Sequence, residues 1–174
     1  MKRYKQRNKL DLPAPFGPIT PNILPLAKLN FCCSAGHISL CANENGISHL
    51  NFIPQTEDNW QTREVPLQPT QHSELRQQAE GHLQQAKTEL LEYFSGQRQQ
   101  FNVALAPQGT EFQRQVWHAL SQLGFGVTCS YGQIAKQIGR PKAVRAVGAA
   151  NGANPIAIIV PCHRVIGKNG RLTG

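Results

Sequence analysis

Residues 130–165 read SYGQIAKQIGRPKAVRAVGAANGANPIAIIVPCHRV, and this stretch decides the fold. Ser130 is placed to cap a short helix over 131–138, which Gly139 closes. Pro141 suits the first turn of the next helix, expected to run to about Ala150. Two short helices joined by a tight glycine-containing turn are the pattern of a helix-turn-helix. The second helix, Ala143-Val144-Arg145-Ala146-Val147-Gly148-Ala149-Ala150, is built almost wholly of small residues, and one arginine projects from it. A helix with so little bulk can lie very close to another surface. That surface is either the protein's own core, toward which Val144 and Val147 are expected to turn, or the groove of a duplex. The apolar run 156–160 is expected as a buried strand or extended core segment, and it delivers Pro161-Cys162-His163.

A cysteine is more often a small core hydrophobe than a nucleophile. The neighbours of Cys162 shift that balance. Pro161 favours the start of a helical turn, His163 can take the thiol proton, and Arg164 adds positive charge. A thiolate needs such an electropositive setting, so the run Pro161-Cys162-His163-Arg164-Val165 marks a candidate reactive cysteine. A nucleophile just beyond a DNA-binding helix implies chemistry on a base, and a base must leave the stack to be reached.

Upstream of this stretch, Thr110 and Gln113 have capping-box spacing for a helix over 111–123. Its expected buried face is Phe112, Val116, Ala119, Leu120 and Leu123, and Gly124 and Gly126 break it. Trp117 is expected in a domain interface and Cys129 in the core. Further back, the segment 29–53 reads as hairpin-rich, with strands over 30–34, 37–42 and 47–53 turning at Ala35-Gly36 and Asn45-Gly46. A polar loop carrying Pro66 and Pro69 follows. Ser73 then caps a helix over 74–94 with the stripe Leu75, Ala79, Leu83, Ala86, Leu90 and Phe94, ended by Ser95-Gly96. Residues 1–27 are basic and then proline-rich, and read as an unstructured leader. The expected organisation is therefore a leader over 1–27, a small α/β domain over 28–106 and a second domain over 107–174.

The net charge of +8 is not spread evenly. Through Glu111 there are ten acidic and ten basic residues; from Phe112 to Gly174 there are eight Lys or Arg and no Asp or Glu. Such a domain suits a polyanion, with nucleic acid the leading candidate. No apolar run is long enough to span a bilayer, and the prolines after the basic N-terminus do not suit a signal peptide, so neither a membrane nor export is expected. Five cysteines without framework spacing fit a reduced, cytoplasmic setting.

Taken in order, the blocks Tyr131-Gly132-Gln133-Ile134-Ala135, Arg140 to Gly148, Asn154-Pro155 and Pro161-Cys162-His163-Arg164-Val165-Ile166 resemble the methylated-DNA–protein-cysteine S-methyltransferases, the O6-alkylguanine-DNA alkyltransferases. The resemblance spans about residues 29–174 and is strongest from Thr110 onward. It implies an α+β protein: an N-terminal ribonuclease H-like α/β domain, then a helical, winged-helix-like DNA-binding domain with a helix-turn-helix. It implies irreversible alkyl transfer from O6-alkylguanine, and from O4-methylthymine, in double-stranded DNA, by a single-turnover protein that needs no cofactor and works as a monomer.

The resemblance also implies roles. Cys162 is the acceptor, His163 the general base acting through a water, and Asn154 the holder of the turn between recognition helix and nucleophile. Arg145 fills the gap left by the flipped base, and Tyr131 crowds the neighbouring phosphate and reaches the guanine ring. The backbone carbonyls of Cys162 and Val165 accept the exocyclic amine, with Pro161 also at the base pocket. Ser130, Lys142, Ala143, Ala146 and Gly148 complete the DNA-facing surface, placed in the minor groove.

Members of the resembled family continue with a glycine-rich segment and a helix bearing a glutamate that orients the histidine; this sequence stops at Thr173-Gly174. The expectation is a fragment with impaired activity, its His163 less well fixed. Cys32, Cys33, Cys41, His37 and His49 invite a zinc reading, but their spacing fits no standard finger, and buried strand cysteines without metal are expected. His72, His82 and His118 read as ordinary surface or helix residues. The leading alternative is a sensor that binds alkylated bases without efficient transfer. A helix-turn-helix transcription factor lacks support, since the second helix has none of the Asn and Gln set used in major-groove readout. A cysteine hydrolase lacks a separate His and Asn pair.

Overall fold

The computed structural model describes residues 25–54, 73–167 and 170. Most of the expected leader, the loop carrying Pro66 and Pro69, His72, and the last residues from 171 onward lie outside the described residues. The first unit is an antiparallel meander, β1 (Ala27–Cys33), β2 (Gly36–Asn43) and β3 (Gly46–Ile53), in the order β1-β2-β3. It turns at the two expected glycines, Gly36 with φ +115 and Gly46 with φ +142, backbone that an L side chain rarely adopts. Helix α1 (Ser73–Phe94) covers one face of the sheet. Ile38, Leu40, Ala42, Ile47 and Leu50 from the sheet meet Ala79, Leu83, Ala86 and Leu90 from the helix. The expected stripe is one residue shorter at its start: Leu75 is 36% exposed, because the buried span of α1 begins only at Ala79.

The strand cysteines do not fit the expectation of burial. Cys32 is exposed and Cys33 and Cys41 are half-buried. They belong to the face of the meander opposite α1 or to its edge strand, where apolar cover is thin. Cys32 pairs in register with His37 and Cys41 with His49, two separate pairs. No group of three or more metal-ligating side chains converges among the described residues.

In the second unit α2 (Glu111–Ser121) starts with the expected capping box, Gln113 N donating to Thr110 Oγ1 at 3.2 Å and Thr110 N to Gln113 Oε1 at 2.9 Å. It ends before the expected Leu123, with Gln122 as its C-cap. Trp117 is buried, and its Nε1 donates to the carbonyl of Ala150 at 2.7 Å, pinning α2 to the later helix α4 (Val144–Gly152). Helix α3 (Tyr131–Gln137) has a second capping box, between Ser130 and Gln133, and Gly139 with φ +72 closes it.

Helix α4 begins later than expected and runs further. Ala143 N donates to Arg140 O at 2.9 Å, so Pro141 takes the second position of a reverse turn rather than the first turn of the helix. Val147 is buried, but Val144, the first residue of α4, is 40% exposed, which corrects its expected inward placement.

The run 156–160 is not a strand. Asn154 Oδ1 accepts from Ile156 N at 3.1 Å while Asn154 Nδ2 donates to Val160 O at 2.9 Å, so one side chain folds the segment into a turn. Ile158 lies at φ +70 within it, a strained conformation for a β-branched residue. Only Ile156 keeps a strand-like link, bridging to Leu50, whose N–H donates to Pro155 O at 2.8 Å. Ile47 likewise bridges to Leu105. The free edge of β3 is thus met by the segment that leads to Cys162, and one hydrophobic core runs through both units. Among the described residues no helix is long and apolar enough to cross a membrane.

Candidate active site

Cys162 opens a single 3₁₀ turn, Cys162–Arg164, preceded by Pro161 and followed by β5 (Val165–Ile166). The expected helical start at Pro161 is therefore one tight turn and no more. The turn is pinned on several sides. Cys162 N donates to Val160 O at 2.8 Å, and Arg164 N to Pro161 O at 3.0 Å. β5 pairs in parallel with β4 (Cys129–Ser130), matching Cys129 to Val165 and Ser130 to Ile166. This pairing sets the start of α3, and so Tyr131, beside the turn.

Cys162 is half-buried, Pro161 and Val165 are buried, and His163 is exposed. Partial burial of the His163 ring, and then the neighbouring Arg164 charge, hold its imidazole below its ordinary range. The histidine therefore stays neutral, and able to take a proton, at a lower pH than a free imidazole. Burial pushes the thiol of Cys129 up, although the residue is half-buried against the core and not within it as expected.

Asn154 holds the segment before Cys162, through the two hydrogen bonds already given. Tyr131 is buried, and α4 comes close to it at Gly148, where an added Cβ would lie 4.0 Å from the ring. Arg145, Ala146 and Lys142 are exposed, while Ala143 and Gly148 are half-buried. The Ser130 hydroxyl closes the cap of α3, accepting from Gln133 N at 3.3 Å. The structure thus sets Pro161, Cys162, His163 and Val165 at one 3₁₀ turn, with Asn154 bracing the segment before it, and leaves Arg145, Lys142 and Ala146 exposed on the two-helix unit.

Two functional contacts escape a reading of the sequence alone. Asn151, buried on α4, donates through Nδ2 to the carbonyl of Cys162 at 3.3 Å. The signal was an amide one helical turn after Val147, on the buried side of a helix otherwise made of small residues. Arg164 does more than add charge: its guanidinium donates to Gly124 O at 2.9 Å, to Leu123 O at 3.4 Å and to the Tyr93 hydroxyl at 3.2 Å. No local pattern announces those partners.

The fold and the site together define a two-part α+β protein in which the second helix of a helix-turn-helix is bonded to a cysteine-bearing turn. Residues 31–107 match the ribonuclease-like domain, and residues 111–174 the DNA-binding domain, of 6-O-methylguanine DNA methyltransferase. A methylated-DNA–protein-cysteine methyltransferase of Methanosarcina acetivorans is 48% identical over 139 residues, 80% of this chain and 82% of that protein. The constitutive methylated-DNA–protein-cysteine methyltransferase of Bacillus subtilis is 45% identical over 139 residues, covering 80% and 79%. Among solved structures, Mycobacterium tuberculosis OGT in complex with DNA superposes with a TM-score of 0.67 at 40% identity, covering 85% of this chain and 83% of that one. The chain belongs to the methylated-DNA–protein-cysteine methyltransferase family.

Proposed function

We propose that this protein repairs double-stranded DNA by moving the alkyl group of an O6-alkylguanine onto Cys162. The observation that carries the reading is the bond from Asn151 on α4 to the carbonyl of Cys162, which couples the helix that bears the exposed Arg145 to the nucleophile. In this mechanism the exposed face of α4 approaches the minor groove, where its small residues allow close contact. The alkylated base rotates out of the stack and Arg145 fills the gap. The Cys162 thiol gives its proton to His163, directly or through a water. Sulfur attacks the alkyl carbon, the S–C bond forms, and the C–O6 bond breaks with its electron pair going to the guanine. A proton returned to the ring makes guanine the leaving group.

The acceptor is the protein's own sulfur, so the step balances without a cofactor. No group in the turn can cleave the thioether, and each molecule reacts once. O4-methylthymine offers the same methyl ether on an aromatic ring and is the expected second substrate. Intact mass after incubation with a duplex containing O6-methylguanine tests the reading. One added methyl group, mapped to the Cys162 peptide and absent in Cys162→Ala, is expected. Binding with no change in mass would replace it with that of a lesion sensor.

A further inference from the structure

We infer that Tyr93, on the last turn of α1 in the N-terminal domain, is a positioning residue for the reaction at Cys162, acting through the guanidinium of Arg164. The inference rests on the transfer reaction proposed above.

Arg164 closes the 3₁₀ turn that Cys162 opens, so any constraint on its side chain is a constraint on the nucleophile's backbone. Its guanidinium reaches away from that turn, onto the carbonyls of Leu123 and Gly124 and the hydroxyl of Tyr93. It also lies over the Phe125 ring, 5.5 Å from the centroid. Tyr93 is itself braced, its ring 5.0 Å from Phe101 and 6.0 Å from Phe125. The catalytic turn is thus tied through one planar fork to the loop after α2 and to the first domain.

The acceptors are also chosen in kind. They are two carbonyls and a neutral hydroxyl, and no carboxylate pairs with Arg164 among the described residues. The positive charge is oriented without being cancelled, and it remains one of the two causes that keep His163 neutral. A cap for Leu123 and Gly124 alone would not need the Tyr93 hydroxyl.

Tyr93→Phe keeps the ring and its aromatic contacts and removes only the acceptor. In the full chain, transfer from an O6-methylguanine duplex at saturating protein should slow about threefold to tenfold, a part of the worth of one charge-assisted hydrogen bond, since Arg164 keeps its two carbonyl acceptors. Duplex affinity should not change, and the melting temperature should fall only slightly, because the guanidinium keeps its two carbonyl acceptors. Arg164→Met should slow transfer further, Tyr93→Phe should add nothing in that background, and Arg164→Lys should recover part of the rate. Without DNA, hydrogen exchange at the amides of Cys162, Arg164 and Val165 should accelerate in Tyr93→Phe. Unchanged exchange at those amides, or additive effects of the two substitutions on transfer, would overturn the inference. If the unaltered protein transfers no methyl group, the functional reading fails by itself, and the exchange comparison still decides the role of Tyr93.

Discussion

The carbonyl oxygen of Cys162 accepts two hydrogen bonds, one from Asn151 Nδ2 at 3.3 Å and one from the Val165 backbone N–H. Cys162, the nucleophile of the proposed mechanism, is thereby fixed from α4 on one side and from β5 on the other. A guanine amine that uses this carbonyl has to share it with, or displace, the longer bond from Asn151. The other side-chain atom, Asn151 Oδ1, is buried without a hydrogen-bond partner among the described residues. Asn151→Leu removes the donor and the unpartnered oxygen together, so the two stability effects oppose each other. Unfolding in urea should change by less than about 1 kcal/mol. Transfer should slow about threefold to tenfold, because only Val165 then holds the carbonyl. A stability loss of several kcal/mol would make Asn151 a core residue alone, and an unaltered rate would remove it from the site.

The direction of the His163 shift sets a pH dependence. Its imidazole sits below the ordinary 6.5, through burial first and Arg164 second. Protonation removes the base, so the acid limb of the transfer rate should fall at a pH below 6.5. In Arg164→Met the second cause is gone, and the limb should move upward while burial still holds it under the ordinary value. The linkage has the matching sign. Below the unfolded pKa the unfolded chain binds more protons than the native one, so His163 opposes folding as the solution becomes acid and is silent above that range. Single-turnover rates across pH 5 to 8 check the limb, and a limb at or above 6.5 in the unaltered protein would contradict it.

Much of this architecture was legible because its signals are local. Thr110 with Gln113, and Ser130 with Gln133, announce helix starts within four residues, and Gly36, Gly46 and Gly139 announce turns by the backbone they permit. What was not legible depends on partners distant in sequence. The apolar run 156–160 has the composition of a strand, but the side chain of Asn154 takes the N–H of Ile156 and the carbonyl of Val160, and composition does not show that. Pro141 is acceptable both in a first helical turn and in a reverse turn, and the bond from Ala143 N to Arg140 O decides for the latter. Arg164 reads as a nearby charge until Tyr93, 71 positions away, is folded against it.

Gly109 gives a test of how the second domain is packed. A Cβ built there would lie 2.5 Å from the Trp117 ring, well inside contact. Trp117 cannot yield easily, since it is buried and its Nε1 is bonded to Ala150 O on α4. Gly109→Ala should therefore destabilise the protein by roughly 1–3 kcal/mol, the usual cost of overpacking. Because the strain passes through Trp117 to α4, DNA binding should weaken together with the melting temperature. A neutral effect on both would mean that the ring moves freely.

Arg145 and Lys142 are both exposed cations at the two-helix unit, yet they should fail in different ways. In the proposed mechanism Lys142 meets phosphate, so Lys142→Ala should lower affinity for any duplex and reduce the salt dependence of binding by about 0.9 in the log–log slope. Arg145 stands on α4, where the proposed mechanism needs a side chain to fill the space of the departed base. Arg145→Ala should slow transfer from a duplex by at least about tenfold, since the cost of unstacking is then uncompensated. It should leave transfer from the free alkylated base unchanged, because a free base leaves no gap to fill. Neither substitution should move the melting temperature, as both side chains project into solvent. Equal slowing of duplex and free-base reactions by Arg145→Ala would place the arginine at the chemical step and remove it from the groove.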